Sequence, residues 1–219
     1  MAPRLTRQRR QQILEAAALV IADRGLSDTR VADIGARAGV SAALVLYYFG
    51  SKDHLLTEAL TFADDRFYLE TFHELAKLER ARDRLVRLID LALPRPDRAG
   101  DTLGDWVLWL ELWSRALRDP EVARKREALD RRWRDTISDV VRDGQRAGEF
   151  ADVEAETFAL RLASLIDGLA IQVVLRDPAC TTDRARRMAL ETAGRELGFE
   201  TDAALRKTPV TAGGRRGRK

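Results

Sequence analysis

The first 53 residues carry side chains whose chemistry suits contact with a polyanion. Eight of them are Lys or Arg and five are Asp or Glu, which gives this segment a net charge of +3. Arginine and lysine donate hydrogen bonds to phosphate oxygens and neutralise phosphate charge. The charge distribution therefore favours local contact with a polyanion, although the same distribution also arises by chance.

The end of the chain is also basic. Residues 203–219 contain six Lys or Arg and no Asp or Glu, while the whole chain has a net charge of only +3. We expect this tail to be disordered. It either adds sequence-independent affinity for DNA by counterion release or is an inert, solubilising tail.

Residue types needed for catalysis and metal binding are scarce. His54 and His73 are the only histidines, Cys180 is the only cysteine, and no phosphate loop, zinc motif or serine-nucleophile motif occurs. We therefore expect no enzyme, no metal and no other cofactor. The most apolar stretch contains Arg161 and Asp167, which predicts a buried helix rather than a membrane span, in a cytoplasmic protein.

The elements that carry these residues are predicted to be helices throughout. Apolar residues recur at helical spacing, and alternating strand patterns are missing. The pattern predicts an all-α fold of about nine helices, at 7–24, 30–38, 42–48, 52–75, 80–93, 103–117, 120 to 144 or 147, 154–175 and 183–197. Thr6, Thr29, Ser41 and Ser51 are the predicted N-caps of the first four.

The second and third helices are short and are joined by a turn containing Gly39. Ile34, Ala38, Val40 and Val45 are spaced to be buried between them. This arrangement is typical of a helix-turn-helix, which places its second helix in the major groove of DNA. A plain helical hairpin would have the same pattern.

Residues 10–55 resemble the DNA-binding domain of TetR-type regulators. The residues that carry the resemblance are Ile13-Leu14, Ala16-Ala17, Gly25-Leu26, Thr29, Ile34, Ala38-Gly39-Val40-Ser41, Tyr47-Tyr48-Phe49, Lys52 and Leu55. The second half is similar to the ligand domain of one TetR subgroup at Trp109, Trp113, Asp119-Pro120, Gly144, Gly148 and Asp167-Gly168-Leu169.

The resemblance implies an N-terminal three-helix helix-turn-helix domain at 1–52, a C-terminal helical ligand-binding and dimerisation domain at 53–202, and the basic tail at 203–219. It implies a ligand-responsive transcriptional regulator, most often a repressor. Such a protein binds palindromic operator DNA as a homodimer and is released by a small-molecule effector. It would work in the bacterial cytoplasm, at the nucleoid.

The resemblance also implies DNA contacts around the third helix. The candidate residues are Arg9, Arg10, Arg30, Ser41, Ala42, Ala43, Leu44, Tyr47, Tyr48 and Lys52. The chain departs from the family at Leu46, where many members have tyrosine, at Ala43, where glycine is common, and at Leu44, where threonine or serine is common. Alanine and leucine offer base edges no hydrogen bond and touch only apolar groups such as the thymine methyl.

An effector site is expected in the second domain. Trp106, Trp109 and Trp113 are spaced i, i+3 and i+7 and share one helix face, which favours a ligand site between helices but equally fits ordinary core. The candidate ligand residues are Phe67, Trp106, Trp109, Glu111, Trp113, Phe158 and Gln172. The abundance of Trp and Phe predicts a largely apolar or aromatic effector.

Long apolar stripes near the end of the fold predict a two-fold helical interface. The candidate interface residues are Ile137, Val141, Asp167, Gly168 and Ile171. Two other functions remain open from the sequence. One is a helical small-molecule-binding protein with degenerate DNA binding, and the other is a sequence-nonspecific DNA binder.

Overall fold

The computed structural model describes residues 2–94 and 102–201. Within these residues the chain forms nine helices and no strand, which confirms the predicted all-α fold. The helices are α1 (Ala2–Asp28), α2 (Val31–Ala38), α3 (Ala42–Phe49), α4 (Lys52–Leu75), α5 (Ala81–Ala92), α6 (Thr102–Ala116), α7 (Pro120–Arg146), α8 (Ala155–Val174) and α9 (Thr182–Leu197). The basic tail at 203–219, with its expected disorder, lies outside the described residues.

Two of the four predicted N-caps are wrong. Helix α1 begins at Ala2, so Thr6 lies inside it; the first turn tolerates Pro3, whose missing N–H would have had no helical partner. Arg30 rather than Thr29 is the N-cap of α2. The buried Thr29 hydroxyl instead donates to the Gly25 carbonyl at 2.7 Å, where α1 is interrupted by a φ of 76°.

The turn between α2 and α3 forms as its sequence predicts. Gly39 adopts a left-handed conformation (φ 67°, ψ 35°), and its N–H bonds back to the end of α2. Ser41 caps α3, because its hydroxyl oxygen accepts from Leu44 N at 3.2 Å. Ser51 Oγ likewise accepts from His54 N at 3.1 Å at the start of α4. Short-range capping thus fixes the start of α3 and the start of the helix that follows it.

The chain divides into two compact units, Met1–Glu74 with Pro94–Trp133 and Leu75–Leu93 with Arg134–Lys219. In the first unit, α6 and the start of α7 share one apolar core with the N-terminal helices. Its fully or nearly buried members include Ile13, Ile34, Val45, Phe49, Leu55, Leu108, Leu112 and Val122. The domain boundary predicted between residues 52 and 53 stays a prediction.

Polar contacts add to this core and join α6 to the N-terminal helices. Glu111 Oε1 accepts a hydrogen bond from Leu26 N at 3.0 Å, just after the interruption at Gly25. One turn further along α6, Arg115 Nη2 lies 3.3 Å from Asp53 Oδ1 in the first turn of α4. Both contacts fix α6 against the segments that flank the helix-turn-helix.

The second unit contains a buried ion pair between α5 and α9. The Arg186 guanidinium donates to the two Asp90 carboxylate oxygens at 2.5 and 3.3 Å, and both side chains are buried. Glu149 accepts from Ala81 N and Arg82 N and so caps the start of α5 from a distant part of the chain. These contacts position α5 and α9 within the unit.

Helix α8 is long and apolar enough to pass a composition test for a membrane span. One such helix is weak evidence, because the core helix of a soluble protein passes the same test. Phe158, Leu162 and Ile166 of this helix are buried in the second unit. Glu154 caps its start, and hydrogen bonds from Thr157 lower the pKa of the Glu154 carboxyl.

Replacing Glu111 tests the contact between α6 and Leu26. We expect Glu111→Ala to lower the free energy of unfolding by about 1–3 kcal/mol, because a partly buried N–H loses its acceptor. Glu111→Gln keeps an oxygen acceptor and should cost less than Glu111→Ala in the same urea titration. Equal losses from the two variants, or none from alanine, would contradict this role.

Replacing Arg186 tests the buried ion pair. We expect Arg186→Ala to lower the free energy of unfolding by about 3–5 kcal/mol, because the buried Asp90 carboxylate loses its guanidinium partner. The matched control is Arg187→Ala, an exposed neighbour on α9, which should change stability by about 0.5 kcal/mol or less. Similar urea midpoints for the two variants would show that the pair contributes little.

Candidate nucleic-acid interface and ligand site

One face of α3 is exposed and almost entirely apolar. Ala43, Leu46 and Tyr47 lie at i, i+3 and i+4, so they form a single stripe, which we call the α3 stripe. Leu46 is 41% exposed and Tyr47 82% exposed. The opposite face of α3 holds Val45 and Phe49 in the core. Burial of one face thus presents the other outward.

The remaining predicted contacts on α3 are less available. Ala42, Leu44 and Tyr48 are half-buried, and the Tyr48 ring packs edge-to-face on Tyr47 at 5.7 Å between centroids. Ser41 is exposed, but its hydroxyl oxygen accepts the capping bond from Leu44 N. The phenol of Tyr47 is therefore the most exposed side-chain hydrogen-bonding group of the helix.

Two of the predicted arginines are exposed. Arg30 lies at the N-cap of α2, and Arg9 lies on α1, where its guanidinium donates to Gln12 Oε1 at 3.2 Å. Such exposed guanidinium groups can reach phosphate oxygens without breaking a buried contact.

Arg10 and Lys52 have structural partners that the sequence did not reveal. Arg10 pairs with Glu58 of α4, and its guanidinium lies 5.1 Å from the Phe49 ring centroid. Glu58 neutralises this charge, so we leave Arg10 out of the proposed phosphate contacts. Lys52 is half-buried, and its Nζ lies 3.5 Å from the Ser27 carbonyl oxygen, a weak contact that leaves donors free.

Gly35 is a residue of this site that the sequence analysis missed. A Cβ at this position would lie 2.8 Å from the Val40 carbonyl oxygen and 3.2 Å from Ala42 N. Only glycine therefore allows α2 to approach the start of α3 this closely. A glycine inside a short helix next to the turn was the available signal.

The tryptophans of α6 form an aromatic cluster in the first unit. The Trp113 ring lies 6.1 Å from Trp106 and 6.2 Å from Trp109 between centroids. Elsewhere in the same unit, the Phe67 ring of α4 lies 6.1 Å from Trp133 of α7. These separations are typical of favourable aromatic pairs.

Three buried polar atoms of the first unit have no hydrogen-bond partner among the described residues. Asp33 Oδ2 forms an ion pair with Arg24, and the other two are Trp113 Nε1 on α6 and Thr71 Oγ1 on α4. An unsatisfied buried donor is costly, and a ligand oxygen is one group that can satisfy it. Trp113 thus combines an aromatic face with an available N–H.

Other predicted ligand residues have different surroundings. The carboxylate of Glu111 accepts from Leu26 N rather than standing free. Phe158 and Gln172 belong to the second unit, where Phe158 is buried and Gln172 is exposed on α8. We therefore keep the tryptophans and Phe67 as the ligand candidates.

The predicted interface residues also separate into two groups. Ile137 and Val141 are fully buried within the protomer, so their side chains do not reach a second chain in this conformation, and we remove them from the interface. Asp167 and Ile171 are half-buried on α8. Gly168 is exposed there, and a Cβ at this position would meet no atom within 4 Å.

No group of three or more His, Cys, Asp or Glu residues within the described parts of the chain is placed to hold a metal ion. Cys180 is buried, and its thiol donates to the Leu169 carbonyl at 3.7 Å. Burial raises the pKa of this thiol, which disfavours the reactive thiolate. Cys180 is therefore packed as a small buried side chain rather than exposed as a nucleophile.

Comparisons with known proteins identify the two parts of the sequence. Residues 13–59 match the family model of bacterial regulatory proteins of the tetR family, and residues 81–198 match that of the BetI-type transcriptional repressor C-terminal domain. The chain is 31% identical to the HTH-type transcriptional regulator BetI 1 of Chromohalobacter salexigens, over 90% of this chain and 94% of the relative.

Solved structures show the same fold. A transcriptional regulator of Saccharomonospora viridis in complex with choline is 36% identical, with a TM-score of 0.79, over 86% of this chain and 96% of the other. A TetR-family regulator of Rhodococcus sp. is 27% identical, with a TM-score of 0.74, over 86% and 98%. The chain therefore belongs to the TetR family of helix-turn-helix transcriptional regulators, which are not enzymes, and its C-terminal half is of BetI type.

Proposed function

We propose that this protein is a repressor that binds palindromic operator DNA as a homodimer and is released by a small cationic effector. It would act in the bacterial cytoplasm, at the nucleoid. The observation that carries the proposal is the position of α6: it carries the tryptophan cluster and also packs against the N-terminal helices, and Trp109 contacts their shared core. One helix thus connects a ligand site to a DNA-binding segment.

DNA binding would use the exposed surface around α3. The Tyr47 phenol, Arg9 and Arg30 are exposed, and Lys52 flanks them at the start of α4. These groups would hold phosphates and set the register of α3 in the major groove. Both possibilities for the basic tail remain: it adds affinity for DNA by counterion release, or it is inert.

A second copy of the chain would cover the outer face of α8. Leu160 is 52% exposed and Leu175 68% exposed, and the small residues Ser164 and Gly168 lie exposed between them. Small residues allow close approach of a neighbouring helix, and exposed leucines are favourable to bury. A two-fold pairing of this face would present two α3 helices to a palindrome.

The effector is proposed to carry a quaternary ammonium group, as choline does. The BetI-type C-terminal half and the choline complex of the S. viridis relative support this choice. Trp106, Trp109 and Trp113 supply the aromatic faces that attract such a cation, and Trp113 Nε1 is an available donor for its hydroxyl oxygen. A cationic effector departs from the largely apolar or aromatic effector predicted from the sequence, and only the methyl and methylene groups of choline are apolar.

Helix α6 would transmit effector binding to the N-terminal helices. Trp109 and Trp113 lie at i and i+4 on one face, and Glu111 and Arg115 lie at i and i+4 on the opposite face. A shift of α6 toward the effector would therefore change its contacts with Leu26 N and Asp53. DNA release follows if the operator-binding arrangement depends on those contacts.

Replacing Tyr47 tests the DNA-binding part of the proposal. We expect Tyr47→Ala to weaken binding about tenfold, because a hydrogen bond to a charged phosphate is lost. Binding would be measured by fluorescence anisotropy on DNA from upstream of the protein's own gene and on scrambled DNA, at two salt concentrations. The control is Phe72→Ala, an exposed aromatic of α4, which should bind normally.

The wild-type arm of this titration also separates the alternatives. Equal, salt-dependent binding to both DNAs would indicate a sequence-nonspecific binder. No binding to either DNA would indicate a small-molecule carrier with degenerate DNA binding, which the apolar α3 stripe would then explain.

A neutral analogue tests the proposed effector. Choline and 3,3-dimethyl-1-butanol have nearly the same shape, but only choline is charged. We expect choline to bind at least about tenfold more tightly by calorimetry, because the aromatic rings attract its cation. Trp113→Ala should remove this preference, whereas Phe199→Leu, which alters an aromatic of the second unit, should retain it. Equal binding of the two compounds would favour a purely apolar effector.

A further inference from the structure

The α3 stripe contains almost no hydrogen-bonding chemistry for reading bases. Helix α3 has the sequence AALVLYYF, with no Arg, Lys, Asn, Gln, Asp or Glu. The paired hydrogen bonds that distinguish guanine and adenine in the major groove come from those side-chain types. A helix of this composition cannot use them.

Two polar residues beside the helix, Ser41 and Lys52, do not supply these paired hydrogen bonds. The Ser41 hydroxyl oxygen is used to cap α3, through Leu44 N at 3.2 Å. Lys52 lies at the start of the next helix, with its Nζ near the Ser27 carbonyl, and suits phosphate binding. Of the α3 stripe itself, only the Tyr47 phenol can donate or accept a hydrogen bond.

The exposed part of the stripe instead offers methyl and methylene groups. Leu46 and Ala43 are exposed, whereas the other aliphatic residues of α3 are buried or half-buried. In the major groove, the only apolar group that distinguishes one ordinary base from the others is the 5-methyl group of thymine. Packing that methyl against leucine or alanine removes apolar surface of both from water.

We propose that the α3 stripe recognises the operator through thymine 5-methyl groups, with Leu46 and Ala43 as the contacting residues. This inference rests on the proposed function as a sequence-specific DNA-binding protein. Tyr47 then holds the backbone or a base edge beside the methyl contacts. The preferred half-site contains thymines at the positions covered by the stripe, and its affinity depends on their methyl groups rather than on their hydrogen bonds.

Uracil substitution tests the proposal directly. The full-length protein first selects its preferred duplex from random-sequence DNA, and each thymine of that duplex is then replaced singly by uracil. Uracil keeps the Watson–Crick edge and the O4 acceptor and loses only the methyl. We expect about a fourfold loss of affinity at each contacted thymine, as for burial of one methylene group, and no loss at flanking thymines.

A protein variant assigns the effect to the stripe. In Leu46→Ala, the ratio of thymine to uracil affinity should fall close to one at the position that Leu46 covers, and stay about fourfold elsewhere. The control is Leu69→Ala, which truncates another exposed leucine, on α4, and should leave the thymine-to-uracil affinity ratio unchanged at every position.

The possible outcomes are distinct. A preferred duplex that tolerates uracil at every position would overturn the methyl inference while leaving specific DNA binding intact. Uracil sensitivity that persists in full in Leu46→Ala at every position would overturn the assignment to the stripe. Failure to select any preferred sequence would overturn both this inference and the proposed operator-specific function.

Discussion

The hydrogen bond between Glu111 Oε1 and Leu26 N joins α6 to the segment that leads into the helix-turn-helix. Leu26 follows the interruption of α1 at Gly25, and the buried Thr29 hydroxyl bonds back to the Gly25 carbonyl. The orientation of α2, and hence of α3, depends on this bend. Because the acceptor comes from α6, the DNA-binding helices are not positioned by their own core alone.

In the proposed function, helix α6 has two roles, and its sequence separates them onto two faces. Trp109 and Trp113 belong to the aromatic cluster, while Glu111 and Arg115 contact Leu26 N and Asp53. A helix that is rigid over one turn cannot move one face without the other. Under the proposed function, this geometry would let effector binding reach α3 if the ligand favoured one position of α6 over another.

Local features of this fold were predictable from sequence, whereas distant partners were not. Ser41 and Gly39 act within four residues of themselves, so their capping and turn roles follow from residue type and spacing. Arg10 pairs with Glu58, and Glu111 binds Leu26, across 48 and 85 residues of chain. The family resemblance implied a DNA contact for Arg10, and Glu111 was a ligand candidate as a polar residue on an apolar helix. Only tertiary packing reveals their actual partners. The contacts of α3 with DNA, including its apolar stripe, stay predictions.

The coupling between effector and DNA is the central claim, and thermodynamic linkage measures it. Choline affinity would be determined by calorimetry for the free protein and for the protein saturated with its preferred duplex. Coupling predicts weaker choline binding to the DNA complex, by about 5- to 150-fold. The ratio of choline affinity in the free protein to that in the DNA complex should be near one for Glu111→Ala and close to the wild-type value for Glu111→Gln. Equal choline affinities of the free and DNA-bound wild-type protein, or a full ratio in Glu111→Ala, would contradict transmission through this contact.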